Sequence, residues 1–121
     1  MPEVTTIAER YVGIWNEPDP EVRRKTMHEL WTPDAVHAAA ALEARGYEEI
    51  EPRIARSHEK NITLGGFRFR PTSNYATLRD AVKFGWEMTL AGSDVVESAG
   101  VVFAILDAGG RIRSDYLFVE S

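Results

Sequence analysis

The chain has 121 residues, of which 44% are hydrophobic and 27% charged, and its net charge at pH 7 is −5. This balance argues against a disordered segment and against a nucleic-acid-binding face, which normally needs concentrated basic charge, and we expect residues 1–121 to form a single domain. The sequence contains no cysteine, which excludes disulfides, thiol nucleophiles and thiolate metal ligands.

The three histidines, His28, His37 and His58, are not spaced as metal ligands. No pair has the one-turn spacing of a helical metal site and no HExxH motif occurs, so we expect neither a metal nor another cofactor. Nothing at the N-terminus resembles a secretory signal, and the longest mostly apolar stretch, 99–106, is too short to span a bilayer. These features predict a cytoplasmic protein that contacts no membrane.

The first predicted element is an amphipathic helix over residues 4–16. Its apolar residues, including Tyr11 and Trp15, recur at helical spacing and predict one buried stripe. We expect Thr5 or Thr6 to cap this helix.

A second helix is predicted from Pro20 to about Leu30. Asp19 is a good N-cap, and Pro20 then occupies the first helical position, where its missing N–H costs nothing. Trp31 lies at the exit of this helix. The side chains that we expect the helix to bury are Val22, Met27 and Leu30.

The next predicted elements are a short strand and a third helical segment. The alanine-rich stretch 35–40 is expected to form the first strand. The helical period returns over 45–58, with Pro52 inside it. Because proline disrupts a helix interior, we expect one short turn and then a helix that starts near Glu51.

After residue 66 the hydrophobic period changes to two, which is typical of half-buried strands. Strands are predicted at 67–70, 81–90, 95–106 and 111–119, joined by turns. Helices followed by an antiparallel meander predict an α+β domain.

This order of elements, together with three local sequences, resembles the nuclear transport factor 2-like superfamily, which includes ketosteroid isomerases and SnoaL-like polyketide cyclases. The local sequences are Arg10-Tyr11-Val12 with Asn16 and Asp19, then Pro33-Asp34-Ala35-Val36, and Asp107-Ala-Gly-Gly-Arg-Ile. The resemblance implies a cone-shaped fold, in which three helical segments pack inside a strongly curved antiparallel sheet and leave an apolar cavity.

The resemblance also allows a comparison with the active site of ketosteroid isomerases. Tyr11 falls where that family has its oxyanion-hole tyrosine. The family's general base falls on Ala39, and its second oxyanion donor falls near Val102. An alanine cannot move a proton, so the resemblance argues against steroid isomerisation by that mechanism.

Asp115 on the last strand is the carboxylate that the resemblance places toward the cavity, aimed at the Tyr11 hydroxyl. Burial among aromatic side chains disfavours the charged form of a carboxyl group, which suits it to take and return a proton. Two alternatives stay open here. Asp115 could pair with Arg113 or Arg111, or the strand parity could be reversed so that Tyr116 faces inward.

His37 is the third candidate for acid–base chemistry, because a histidine can serve as either acid or base near neutral pH. It shares a strand face with Ala39, and a purely structural role is the alternative. The residues that the resemblance implies around a ligand are Trp15, Ala39, His58, Phe84, Trp86 and Val102, with His58 over the cavity mouth. Without a hollow cone, the large apolar members of this set would simply be core residues.

The sequence therefore favours a cofactor-independent isomerase, cyclase or hydratase that acts on a hydrophobic carbonyl-bearing small molecule. The alternative is a non-catalytic binding or association domain. The outer sheet face is predicted to carry small and mixed polar residues, among them Lys83, Gly85, Glu87 and Thr89. The resemblance implies a homodimer through this face.

Overall fold

A computed structural model describes residues 3–121, in which the helices come early and most of the strands follow. The helices are α1 (Val4–Asn16), α2 (Pro20–Leu30) and α3 (Gly46–Ser57), and a π-helical segment, His58–Leu64, continues directly from α3. The strands are β1 (Trp31–Ala39), β2 (Leu42–Arg45), β3 (Phe67–Pro71), β4 (Ala76–Leu78), β5 (Ala81–Leu90), β6 (Val96–Leu106) and β7 (Ile112–Val119). The predicted α+β class is confirmed.

The seven strands form one sheet in the order β2-β1-β7-β6-β5-β3, with β4 paired to β5. Every pair is antiparallel except β1 with β7, which is parallel, so the sheet is mixed and the prediction of a wholly antiparallel sheet was wrong at this pair. Hairpin turns reveal the pairing of consecutive strands only, whereas β1 and β7 lie far apart in sequence.

The start of α2 follows its prediction, and the start of α1 does not. Asp19 caps α2 by accepting a hydrogen bond of 2.9 Å from the backbone N–H of Glu21, and Pro20 opens the helix. Helix α1 already begins at Val4, so the two threonines lie inside it and no side chain caps it. Val22 was expected to be buried and is exposed.

Helix α3 is continuous from Gly46 although it contains Pro52. The expected start near Glu51 was therefore wrong. Ile50 and Ile54 are buried, whereas Pro52 is exposed. The one hydrogen bond that proline removes therefore lies on the solvent side of the helix, where water can replace it.

The sheet contains more strands than the hydrophobic period predicted. Strand β1 starts at Trp31, directly after α2, rather than at residue 35, and β2 and β4 were not predicted. Strand β2 is only four residues long and β4 only three, so neither displays a clear alternation.

One buried core lies where the helices meet the sheet, and α1 supplies a large part of it, with contacts to β3 and β5. Only part of the predicted outer sheet face is exposed. Thr89 is buried where a bulge in β6 shifts the β5–β6 register, and Gly85 is buried under Thr72 and Asn74. No helix in residues 3–121 is long and apolar enough to cross a membrane.

Candidate functional site

Three side chains, from α1 and β1, meet at the fully buried carboxylate of Asp115 on β7. Asp115 and His37 lie directly opposite each other in the parallel pair of β7 and β1, which places their side chains side by side. Tyr11 comes from the buried stripe of α1, and Trp31 from the first position of β1. The parallel pairing therefore joins residues that are far apart in sequence.

The hydrogen bonds of this cluster converge on Asp115. Its Oδ2 accepts from the Tyr11 hydroxyl at 2.7 Å and lies 2.7 Å from Nδ1 of His37, and its Oδ1 accepts from Nε1 of Trp31 at 2.8 Å. An ionised carboxylate can only accept hydrogen bonds, so His37 carries its proton on Nδ1 in this arrangement. Both oxygens of this buried carboxylate therefore have hydrogen-bond partners.

The two alternative environments of Asp115 are not present. Arg113 is exposed, and its Nη2 lies 3.7 Å from Oδ2 of Asp80. Arg111 donates a hydrogen bond to the backbone carbonyl of His28. Tyr116 is exposed, so the predicted inward parity of Asp115 is the one observed. A bulge near the start of β7 lets Ile112 and Asp115 both face the core, while Arg113 is exposed.

The Tyr11 hydroxyl keeps its proton and directs it to Asp115. Burial raises the pKa of Tyr11 well above its ordinary value, the charge of Asp115 and the hydrogen bond to it raise the pKa further, and the charge of Arg53 opposes them. A phenol has one hydrogen to donate. It is therefore not free to stabilise an enolate oxygen, as the comparison with ketosteroid isomerases had implied, while it donates to Asp115.

A cavity of about 390 Å³ lies beside this cluster, a volume typical of small-molecule sites. Its aromatic lining residues are Tyr11, Trp15, Phe69 and Trp86. Its basic and neutral polar residues on α3 and the π-helical segment are Arg53, Arg56, Ser57, Lys60 and Asn61. None of the described residues that border it is acidic. Tyr11 thus connects the cavity with the buried carboxylate.

Only some of the site residues that the sequence predicted border the cavity. Trp15, Trp86 and Tyr11 border it, whereas Asp115 and His37 do not. Asp115 is linked to the cavity by the hydrogen bond from Tyr11, and His37 packs against the Trp15 ring with 5.5 Å between ring centroids. Phe84, also predicted as a lining residue, is fully buried and packs edge-on against the Tyr11 ring, with 5.3 Å between ring centroids.

Three further predicted ligand contacts lie away from the cavity lining. Val102 is fully buried opposite Phe84 in the β5–β6 pair, and Ala39 ends β1 at its hairpin with β2. His58 is buried at the start of the π-helical segment rather than over the cavity mouth, with Nδ1 3.5 Å from the Thr63 hydroxyl. Burial lowers the pKa of His58, and the charge of Arg23 lowers it further.

Sequence reasoning missed two residues, Trp31 and Arg53. From the sequence, Trp31 was placed only at the exit of α2, and nothing in its local pattern indicates a bond to β7. Arg53 has a visible signal, because it lies three residues after Ile50 and four before Ser57 and therefore shares their inward side of α3. Its guanidinium carbon lies 5.2 Å from the centre of the Trp15 ring, and burial lowers the pKa of Arg53.

Comparison with solved structures agrees with this architecture over the whole chain. A protein from Agrobacterium tumefaciens str. C58, provisionally assigned as an isomerase of the SnoaL-like family, superposes with a TM-score of 0.84 at 24% sequence identity, covering 100% of both chains. The chain has the nuclear transport factor 2-like fold. No protein-family model and no curated protein matches it.

Two other solved structures with the nuclear transport factor 2-like fold match at lower identity. One is a protein of unknown function from Exiguobacterium sp. 255-15, with a TM-score of 0.71 at 15% identity over 95% of this chain and 98% of that one. The other is a provisionally assigned polyketide cyclase from Sinorhizobium meliloti, with a TM-score of 0.63 at 14% identity over 97% and 94% of the two chains. Likeness at these identities establishes the fold.

Proposed function

We propose that this chain is a cofactor-independent SnoaL-like acid–base enzyme, an isomerase or cyclase in type, that moves a proton on a hydrophobic carbonyl-bearing small molecule. The observation that carries the proposal is the position of Tyr11. Its ring borders the cavity, and its hydroxyl donates to a fully buried carboxylate at 2.7 Å. The proposal also draws on the SnoaL-like isomerase and the polyketide cyclase among the structural neighbours.

In the proposed step, a carbon next to the ligand carbonyl loses its proton to the Tyr11 oxygen as the Tyr11 proton passes to Oδ2 of Asp115. The electrons of the C–H bond form the enolate, and Asp115 becomes a neutral carboxylic acid. Where the ligand has a carbon–carbon double bond next to that carbon, the enolate is a dienolate, and the reverse transfer returns the proton to the far carbon of that double bond. The double bond thereby moves into conjugation with the carbonyl, and the protein is restored. Tyr11 is the group that touches the ligand, and Asp115 holds the proton.

His37 and Trp31 act as positioning residues in this scheme. Each donates to the Asp115 carboxylate, at 2.7 Å and 2.8 Å. They fix the carboxylate against Tyr11. His37 Nε2 is buried and has no partner among residues 3–121, so its side-chain hydrogen bonds are both at Nδ1, to Asp115 at 2.7 Å and to the Tyr11 hydroxyl at 3.5 Å.

The test is hydrogen exchange into a carbonyl compound of suitable size. The protein is incubated in deuterium oxide with 2-tetralone, an apolar bicyclic ketone with acidic α-hydrogens, and deuterium uptake is followed by NMR. Wild-type protein should accelerate uptake over buffer, and Tyr11→Phe and Asp115→Asn should lower that acceleration by about a hundredfold or more. Arg113→Gln, on the exposed part of β7, is the matched control and should keep the wild-type rate.

Uptake at the buffer rate with folded wild-type protein would contradict the proposal and leave the non-catalytic binding domain as the function. Equal rates in wild type and in Asp115→Asn would remove the carboxylate from the mechanism and overturn the relay.

We also propose a homodimer through the outer face of β6 and β7. That face exposes Phe103, Tyr116 and Phe118, and the two phenylalanine rings meet edge-on with 5.8 Å between centroids. Exposed aromatic side chains of this kind are enriched at protein interfaces. Sedimentation velocity should give a dimer for the wild type and a monomer for Phe118→Glu, and a wild-type monomer would contradict the proposal.

The cytoplasmic location stays a prediction.

A further inference from the structure

The charged side chains that border the cavity are all positive. Arg53, Arg56 and Lys60 border the cavity, and no described carboxylate borders it. None of these three side chains forms an ion pair with an acidic side chain among residues 3–121. Six of the seven ion pairs formed there engage arginines elsewhere in the molecule.

The buried polar atoms that lack hydrogen-bond partners point to the same kind of ligand as this positive charge. Among the residues that border the cavity, three such atoms occur: Nε1 of Trp15, Nε1 of Trp86 and Nε of Arg53. Both tryptophans are more than nine-tenths buried. All three atoms are N–H donors, and a buried donor without an acceptor costs free energy. The buried atoms without partners at the cavity are therefore all donors.

Two acidic residues close to these cations form their hydrogen bonds with other groups. Arg53 and Arg56 also border a smaller groove whose lining includes Glu43 and Glu49. Glu43 pairs with Arg45 at 2.9 Å, and Glu49 accepts from the backbone N–H of Arg45 at 2.7 Å. These two carboxylates thus serve the start of α3, and Glu48, the third acid of the groove, forms no ion pair with Arg53 or Arg56.

From this lining we infer that the cavity ligand is a small organic acid, with an apolar body held by the aromatic walls and one anionic oxygen group held by Arg53 with Arg56 and Lys60. The inference rests on the proposed function and narrows its substrate class. Arg53 is the central residue, because its guanidinium already stacks near the Trp15 ring and is therefore held in place before the ligand arrives. Arg56 and Lys60 are exposed and complete the positive charge at the cavity.

The test compares two probes of the same shape and different charge. Binding of 2-naphthoate and of its neutral amide, 2-naphthamide, is measured by calorimetry at low salt. The acid should bind about tenfold more tightly than the amide, a difference of about 1.4 kcal/mol. Because two of the three cations are exposed, added salt should weaken binding of the acid and leave that of the amide unchanged.

Two sets of variants assign the preference to the named cations. Arg53→Gln should bring the affinities of the two probes to within about threefold of each other, without weakening the amide. Arg56→Gln with Lys60→Gln should halve the preference or more and, since both residues are exposed, leaves the buried lining intact. Arg113→Gln removes the same charge far from the cavity and should retain the full preference.

Equal binding of the acid and the amide by wild-type protein would overturn the anionic ligand and leave the proton relay standing. Preference for the acid that survives in Arg53→Gln and in the double variant would overturn the assignment to these cations. Failure of both probes to bind would remove the cavity as a ligand site, and the proposed function with it.

Discussion

Nε1 of Trp31 donates a hydrogen bond of 2.8 Å to Oδ1 of Asp115, which links the start of β1 to the middle of β7. Both side chains are fully buried. The other carboxylate oxygen already receives Tyr11 and His37, so Trp31 is the donor that serves Oδ1. This bond contributes to the alignment of the parallel pair on which the candidate site depends.

We predict that Trp31→Phe lowers the free energy of unfolding by about 1–3 kcal/mol beyond the loss of ring area, because it leaves a buried carboxylate oxygen without a donor. Trp15→Phe is the matched control. It removes the same pyrrole ring, but Nε1 of Trp15 has no partner to lose. Urea unfolding of both variants checks the prediction, and equal losses would contradict it.

The sequence predicted the fold more completely than the site. Hydrophobic periods and turn residues identify α1, α2 and the long strands, because those signals are local. The parallel β1–β7 pair has no local signal, and it is this pair that places His37 against Asp115. The predicted contact between Tyr11 and Asp115 came from the family resemblance, and the distance of 2.7 Å agrees with it.

The missed features depend on side-chain contacts between distant elements. A tryptophan at a helix exit predicts packing equally well whether or not its N–H finds an acceptor. The expected ligand contacts at Ala39 and Val102 assumed that another family's site occupies the same part of the cone, whereas this cavity opens on α3 and the π-helical segment. Arg53 was the residue that helical spacing alone could have supplied.

The raised pKa of Tyr11 predicts a stability change at high pH. An unfolded tyrosine titrates near 10, whereas burial and Asp115 hold the folded pKa of Tyr11 well above that value. Its contribution is therefore fully present below about pH 10 and is lost as the pH rises toward the folded pKa. The stability advantage of the wild type over Tyr11→Phe should narrow by up to about 1.4 kcal/mol per pH unit above pH 10.

Urea unfolding at pH 8 to 11 measures this difference. Tyr116→Phe, on the exposed side of β7, controls for the loss of a phenol and should follow the wild type. A constant difference between wild type and Tyr11→Phe across this range would mean that Tyr11 titrates alike in both states.

The junction between α1 and β3 depends on Asn16. Its Nδ2 donates to the carbonyl of Phe69 at 2.7 Å, and its Oδ1 accepts from the N–H of Phe69 at 2.8 Å. Asn16→Ala leaves both backbone groups unpaired in a partly buried place and should cost about 1–3 kcal/mol. Since Phe69 borders the cavity, we also expect weaker binding of 2-naphthamide.

Asn61→Ala is the comparison for Asn16→Ala, because Asn61 makes one side-chain bond, to the Ser57 hydroxyl at 3.1 Å. It should lower stability by less than half as much as Asn16→Ala. Similar losses in the two variants would show that the two-point bond to β3 has no special role.

Gly100 in β6 lies where the sheet leaves no room for a side chain. A Cβ atom built there would lie 1.8 Å from the carbonyl oxygen of Phe118 and 2.9 Å from the Trp86 ring. The obstacle on one side is backbone, so β6 and β7 would have to separate. We expect Gly100→Ala to cost about 3 kcal/mol or more and to disturb the Trp86 wall of the cavity.

Gly13 offers the opposite case in the same molecule. It lies inside α1, and a Cβ atom there would meet nothing within 4 Å. Gly13→Ala should therefore raise the unfolding free energy by about 0.5–1 kcal/mol, because alanine loses less conformational freedom in a helix than glycine does. Thermal and urea unfolding of the two variants should move in opposite directions. A stable Gly100→Ala variant would mean that β6 and β7 are less tightly joined at this point than the close approach of the Phe118 carbonyl indicates.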